Sequence, residues 1–465
     1  MSYHLDRTSA RTPLNRKGST KDRLPALPGT AALVLTLGCG RWGNYLTLSV
    51  PPIPGGLGLG SGPPYLLDLL VAGALLRILL NGGQRISRTS VASVFGFLLW
   101  FYVLFRFLLA GGLDFTALRD FAPYAYVILV PLSAIAVANA TTDQLKRTAD
   151  WVYASLIFHA AWVGAVIISP AIFDWAPTLS DAPLVKIFDL RSDFDAACCA
   201  VLAAVTAFKI LSGHKTVVGR HGAALILGVS TAVGVHSRVG LIALVVLAPL
   251  IAIALAHSKR AVTLVILSVP VVAMLALFVV PNTTAGQRLL LQQVSPANAQ
   301  AGAGSQGTTD ARFRAWEAVY DYTRADPQRS AVGVGFGPDF MSSSGGLTLL
   351  VGQDRREEVR SPHSFVVGTY ARLGAVGILL FAGLLLPILW RLRRALRHDR
   401  GGLESQAAMA VVALGIASLV GVILESPFGA VPFYWFAGAI LGLSSRPAEV
   451  LCPEGDASGR STRVT

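Results

Sequence analysis

The feature that most restricts this chain is the length of its apolar runs. Stretches of about 17 to 25 residues recur without the polar stripe that a water-soluble helix shows at a period of ~3.6. Runs of that length can cross a hydrocarbon core about 30 Å thick. Composition agrees: 53% of the 465 residues are hydrophobic and only 14% are charged, where a soluble domain carries about a quarter charged. The sequence therefore predicts an all-α, polytopic transmembrane helical bundle of about twelve spans, with the lipid bilayer as its solvent.

The expected spans are Thr30–Val50, Pro64–Leu80, Val91–Ala110, Phe121–Ala138, Trp151–Ile172, Phe194–Leu211, Gly222–Val235 and Val239–Ala256. They continue with Ala261–Val280, Phe365–Trp390, Ala407–Leu424 and Phe428–Leu443. Charge tests this register independently. With the basic N-terminal tail inside, the inner connections hold Arg85 and Arg88, Lys146 and Arg147, Lys215 and Arg220, Lys259 and Arg260, then Arg391, Arg393, Arg394, Arg397 and Arg400. Outer connections are uncharged from Pro51 to Pro63 and mainly acidic around Asp174, Asp181, Asp189, Asp193 and Asp195. A missed or extra span would break this alternation, so both termini are expected in the cytoplasm. The net charge of +13 is read as this positive-inside bias, and no nucleic acid is expected as a partner. The four cysteines lack metal-ligand spacing and read as small core residues, apart from Cys452 in the tail.

The chain divides into a basic tail (1–29), a membrane region (30–280, about nine spans), a large extracytoplasmic loop (281–362), a second membrane region (363–445, about three spans) and a tail (446–465). The loop is roughly 80 residues long, too long for an idle link. Ser295 to Thr309 is rich in Ala, Gly, Ser and Gln and reads as flexible. After a possible cap at Asp310, Ala311 to Tyr322 carries Phe313, Trp316, Val319 and Tyr320 at helical spacing. That pattern predicts an amphipathic helix lying on the membrane surface or on the bundle.

Of the eight histidines, only His236 and His363 face outward in this topology. His363, in Ser361-Pro362-His363-Ser364, stands where loop meets span and is either a proton-transfer group near neutral pH or an interfacial histidine satisfied locally. Arg238 follows His236 and Ser237 in a turn almost without a loop. It is either a snorkelling side chain or an anion ligand, since a guanidinium keeps its charge and can bind phosphate with two parallel hydrogen bonds. Arg312 and Arg314 open the loop helix, an unusual place for cations, as anion ligands or headgroup contacts. Arg360 makes a basic approach to His363. Arg41, Asp68, Arg106, Arg119, Asp120 and Glu425 sit toward the outer leaflet, which predicts an outward-facing polar cavity, with Arg106–Asp68 and Arg119–Glu425 as candidate pairs. Gly333-Val334-Gly335-Phe336-Gly337 lacks the Lys-Ser/Thr of a nucleotide loop and fits a turn or a close backbone approach.

Together these features resemble the O-antigen ligase and polymerase superfamily of bacterial envelope glycosyltransferases. The matching residues, in order, are Ser237-Arg238-Val239-Gly240, Arg312 with Trp316, Gly333 to Gly337, and His363 ahead of Leu373-Gly374-Ala375-Val376-Gly377. Ser364 stands where the family commonly has Asn, and Arg372 where Glu often precedes the Leu-Gly pair. The resemblance implies transfer of glycan from a polyprenyl-diphosphate-linked donor to a glycan or lipid acceptor, without metal or other cofactor, at the outer face of a bacterial inner membrane. It implies His363 as general base and Arg238 and Arg312 as diphosphate ligands, with Arg314, His236 and Arg360 as further substrate-binding candidates. The alternative is a transporter or flippase of a polysaccharide precursor, which would show matched halves with polar groups at mid-membrane.

Overall fold

The computed structural model describes residues 27–43, 66–80, 91–109, 115–175, 178–179, 182–186, 190, 192–212, 218–235, 237–255, 311–351, 360–398 and 402–446. The expected span Ala261–Val280, the connection Pro51–Pro63, the stretch Ser295–Thr309 and His236 lie outside the described residues. What is described is a bundle of helices with one small hairpin, Thr178–Leu179 against Ala182–Lys186, in a connection the sequence places outside.

Six helices are long and apolar enough to cross a membrane: Val91–Leu109, Thr116–Ala138, Thr142–Ile168, Ser192–Leu211, Phe365–Leu396 and Pro427–Ser444. Four shorter apolar helices accompany them, at Thr30–Gly40, His221–Gly234, Arg238–Ala252 and Leu403–Leu419. We label the helices α1 (Thr30–Gly43), α2 (Leu66–Leu80), α3 (Val91–Leu109), α4 (Phe115–Ala125), α5 (Leu129–Ala138), α6 (Thr142–Ile168), α7 (Ser192–Leu211), α8 (Val218–Gly234) and α9 (Arg238–Leu255). Then come α10 (311–324), α11 (Pro327–Val332), α12 (Phe340–Ser343), α13 (Gly346–Val351), α14 (Phe365–His398), α15 (Leu403–Leu419) and α16 (Pro427–Ser444).

Two boundaries differ from expectation for local reasons. Helix α6 begins nine residues before Trp151 because Thr141 and Gln144 form a capping box, each side chain bonding the other's backbone N–H. Helix α4 begins before Phe121, so Arg119 and Asp120 lie inside a helix. It passes through a 3-10 turn at Tyr126–Ile128, beyond Pro123, before α5 resumes. Proline lacks the N–H that an unbroken helix needs, which accounts for a local break.

Helices α7 and α16 are apolar all round and sit centrally, buried along nearly their whole length. Small residues set the closeness. A β-carbon at Gly228 of α8 would stand 2.8 Å from the Ala203 nitrogen of α7, and one at Gly240 of α9 would stand 2.7 Å from the Ala232 oxygen. In lipid, where apolar tails compete for apolar surface, such close backbone contact is a main source of helix association. Helix α3 lies at the periphery and turns Val94, Leu98, Phe101, Phe105 and Leu108 outward. The buried His159 of α6 has Nε2 3.3 Å from Asp195 Oδ1 of α7, so that carboxylate belongs to the bundle interior and not to an open connection.

The large loop is pinned to the bundle. Val319 of α10 packs with Phe340, Met341 and Ala371 into a separate small core. The amphipathic helix expected from the sequence therefore lies on the bundle, against α14, through its Val319 face.

Candidate functional site

Helix α14 cannot run straight, because Gly374 has φ 63° and ψ −165°. This backbone is essentially reserved for glycine. The break frees main-chain groups, and the glycine run Gly333–Gly337 takes them. Val334 N donates to Ala371 O at 2.8 Å and Gly335 N donates to Arg372 O at 2.9 Å. Gly333, Gly335 and Gly337 all have positive φ, at 73°, 84° and 98°. A β-carbon at Gly333 would fall 2.2 Å from the Arg372 carbonyl carbon. Two bonds from α3 close the junction: Tyr102 Oη donates to Leu373 O at 2.9 Å, and Arg106 Nη2 donates to Gly333 O at 2.8 Å.

Beside this junction lies a buried ion cluster centred on Asp120. Arg372 Nη1 is 2.9 Å and Arg360 Nη2 2.8 Å from Asp120 Oδ2. Arg360 also donates to Gly337 O and Pro338 O, while the Arg372 guanidinium lies over the Phe340 ring at 5.0 Å. The pairs suggested by sequence give way to these. Arg106 serves Gly333, and Asp68 accepts from Tyr126 Oη at 2.5 Å. Neither Arg106–Asp68 nor Arg119–Glu425 is an ion pair among the described residues. Two guanidinium groups, Arg360 and Arg372, thus meet one carboxylate, an excess of positive charge within the cluster.

His363 stands in the turn that leads from Arg360 into α14. It is the one described non-glycine residue with positive φ, 57°, a strained conformation that persists where its surroundings fix it. The restraints are visible. His363 N donates to Ser361 Oγ at 3.1 Å, and Trp316 Nε1 of α10 donates to Pro362 O. Ser361 also hydrogen-bonds the carboxyl of Glu425, which lies in the short 3-10 turn Ile423–Glu425 between α15 and α16. Glu425 is half-buried as a residue, but its Oε1 is sealed from solvent and without a hydrogen-bond partner. Burial pushes this carboxyl up to about 7, against the downward pull of the Ser361 bond and of Arg372.

The expected arginines approach the same connection between α15 and α16. Arg312 Nη1 donates to Val420 O at 3.1 Å. Arg238 opens α9, and the preceding Ser237 caps that helix while donating to Asp193 Oδ1 at 3.2 Å. Asp193 Oδ2 lies 3.0 Å from where a β-carbon on Gly421 would be. The turn that holds His363, the Arg312 guanidinium and Ser237, the residue before Arg238, therefore approach the connection between α15 and α16 at Glu425, Val420 and, through Asp193, Gly421. Arg314 is exposed on α10, two residues beyond Arg312 and so on roughly the opposite side of the helix. Arg360 is turned into the Asp120 cluster, where it ties the loop down. Asp120, Arg372 and Glu425 complete the site. The sequence singled out each of these three as an oddly placed charge or a departure, without pairing them correctly.

A bundle that crosses a membrane and collects arginines and a strained histidine at one end, under a folded loop, is a polytopic membrane protein with a terminal polar site. The family model described as O-antigen ligase matches residues 223–382. That match puts the stretch from within α8 to the middle of α14 in the O-antigen ligase superfamily, a membrane glycan ligase and polymerase family. It contains Arg238, Arg312, the glycine run and His363, whereas Asp120, Asp193 and Glu425 lie outside it. No curated protein matches the chain.

Proposed function

We propose that this protein is a glycosyltransferase of a bacterial inner membrane that ligates or polymerises glycan from a polyprenyl-diphosphate-linked donor. The observation that carries the reading is the approach of the His363 turn, Arg312 and the Arg238 end of α9 to the connection between α15 and α16. An imidazole nitrogen of His363 takes the proton of an acceptor hydroxyl as its oxygen attacks the anomeric carbon of the donor sugar. The bond from that carbon to the diphosphate oxygen breaks, and its electron pair leaves with the polyprenyl diphosphate. Arg238 and Arg312 bind the diphosphate and stabilise the charge it gains, a contribution of a few kcal/mol per well-placed donor. No metal is assigned a role, because guanidinium groups supply the charge a metal would otherwise bring. The strained turn at His363, held by Ser361, Trp316 and Glu425, fixes the base before substrate arrives.

The test is complementation of a deletion strain with wild type and with His363→Ala at matched membrane levels, reading envelope glycans by gel and mass spectrometry. The reading expects glycan attachment or extension to fall by at least about 100-fold, as for loss of a general base, with lipid-linked intermediate accumulating. Short accumulated units would mark a polymerase and long unattached chains a ligase. An unchanged profile would remove His363 as base and favour a transporter.

A further inference from the structure

The 311–324 helix carries a feature that neither proton transfer nor diphosphate binding uses. Phe313, Trp316 and Tyr320 are spaced i, i+3, i+7, so at about 100° per residue they fall within roughly a 60° arc. The face that anchors the helix is a different one, formed by Ala315, Val319 and Thr323, all at 0% exposure. The aromatic stripe runs along the flank beside the His363 turn. Phe313 and Trp316 meet edge to face with centroids 5.0 Å apart, and Trp316 donates to Pro362 O, next to His363. Tyr320 stacks on Tyr370 of α14 at 5.6 Å, and Tyr370 Oη lies 3.0 Å from Ser330 Oγ. Yet Phe313 is 59% exposed and Tyr320 46% exposed.

Large rings left in the open beside a candidate site call for an occupant. A lipid surface is one. Against it, Glu317 and Asp321 are exposed on the same helix, directly beside the stripe. Carboxylates are costly to press into hydrocarbon and repel anionic headgroups. A sugar ring fits both parts of the pattern. Its axial C–H edges carry partial positive charge and settle on the negative face of an aromatic ring. Its hydroxyls find acceptors in the two carboxylates and in the hydroxyls of Tyr320 and Tyr370.

We propose that Phe313, Trp316, Tyr320 and Tyr370 form a stacking platform for sugar rings, along which the glycan extends away from His363. The inference rests on the glycan-transfer reading, and its ligand class is a pyranose chain, donor-borne or acceptor-borne. The platform begins next to Arg312 and passes the His363 turn at Trp316, so a chain reacting there has Phe313 on one side and Tyr320 with Tyr370 on the other to carry the sugars that follow.

The test uses the full chain in lipid nanodiscs and two readouts. One is saturation-transfer NMR with oligosaccharide repeat units released by mild acid from the source organism's envelope glycan. The other is transfer kinetics with lipid-linked donor, varying donor and acceptor separately. Phe313→Ala/Tyr320→Ala is expected to raise KM about tenfold for whichever substrate lies on the platform, since two ring contacts of this kind together amount to about one decade. The change in kcat is expected to be smaller, and saturation transfer should weaken. The conservative pair Phe313→Tyr/Tyr320→Phe should restore both readouts, which separates stacking from misfolding. Wild type that transfers glycan, with the alanine pair unchanged in KM and in saturation transfer, would overturn the platform and leave the transferase reading intact. Wild type that binds the oligosaccharide through these rings but transfers nothing would overturn the transferase reading and keep the platform. Quenching of Phe313→Trp by brominated lipid tails, with no saturation transfer from sugar, would assign the stripe to the membrane instead.

Discussion

His363 and Glu425 show how one residue's backbone and another's proton are coupled. The positive φ of His363 is held by Ser361, and Ser361 also bonds the Glu425 carboxyl. A carboxyl whose pKa lies near 7 in the folded protein and 4.5 in the unfolded chain binds more protons when folded anywhere between those values. Folding is then favoured by falling pH across that window, and the charged carboxylate is a full liability above about pH 7. Glu425→Gln keeps the shape and a hydrogen bond to Ser361 without the charge. Scanning fluorimetry of the nanodisc-embedded protein is expected to show a wild-type midpoint that falls between pH 5.5 and 8, and a Glu425→Gln midpoint that is flatter and higher at pH 8. A wild-type midpoint rising over the same interval would contradict the neutral carboxyl. The sequence marked Glu425 as a charge in an expensive place, and that much of the site was legible. Its partners were not, because Asp120, Ser361, Arg372 and Glu425 meet across large sequence separations that only the packing of α4, α14 and α16 brings together.

At the scale of elements, the junction between the glycine run and the break in α14 depends on two backbones approaching where no β-carbon fits. Gly374→Ala would place a methyl group 2.4 Å from Ala331 main-chain atoms while forcing φ 63° on an L residue. The two costs reinforce each other and together reach on the order of 3 kcal/mol. Gly333→Ala meets Arg372 in the same way at 2.2 Å. Both variants are expected to lower the midpoint and to expose the loop to protease after α10. Gly73→Ala in α2, with nothing within 4 Å of its would-be β-carbon, should be near neutral. Equal loss from all three would mean that the junction is not special. Helix existence and the turn-like nature of Gly333–Gly337 could be read from apolar length and glycine spacing. Helix ends were harder to read. The capping box at Thr141 and Gln144 lay outside the apolar run, and the pairing of Asp120 with two arginines lets a charged turn sit inside α4.

For the molecule as a whole, the helix ends that meet at the candidate site are C-terminal for α3 and α15 and N-terminal for α4, α7, α9, α14 and α16. That is the order an up-and-down bundle requires, and in the charge-based topology it is the outer end. That topology expects the far end in the cytoplasm, including the exposed Asn139 between α5 and α6. Sidedness decides whether a transferase reading is chemically sensible, because a long glycan on its lipid carrier and a membrane-bound acceptor must meet at one face. It can be tested directly in a chain whose four native cysteines are replaced by alanine or serine. Arg314→Cys is expected to react with a membrane-impermeant maleimide in intact cells with a permeabilised outer envelope, and Asn139→Cys only after the inner membrane is breached. The reverse pattern would invert the bundle and put His363 beside cytosolic substrates, which ends the proposed reaction. Reaction of both from one side would mean that the number of crossings between α5 and α10 is even where the charge alternation makes it odd, with the missing or extra crossing lying between the two labelled positions.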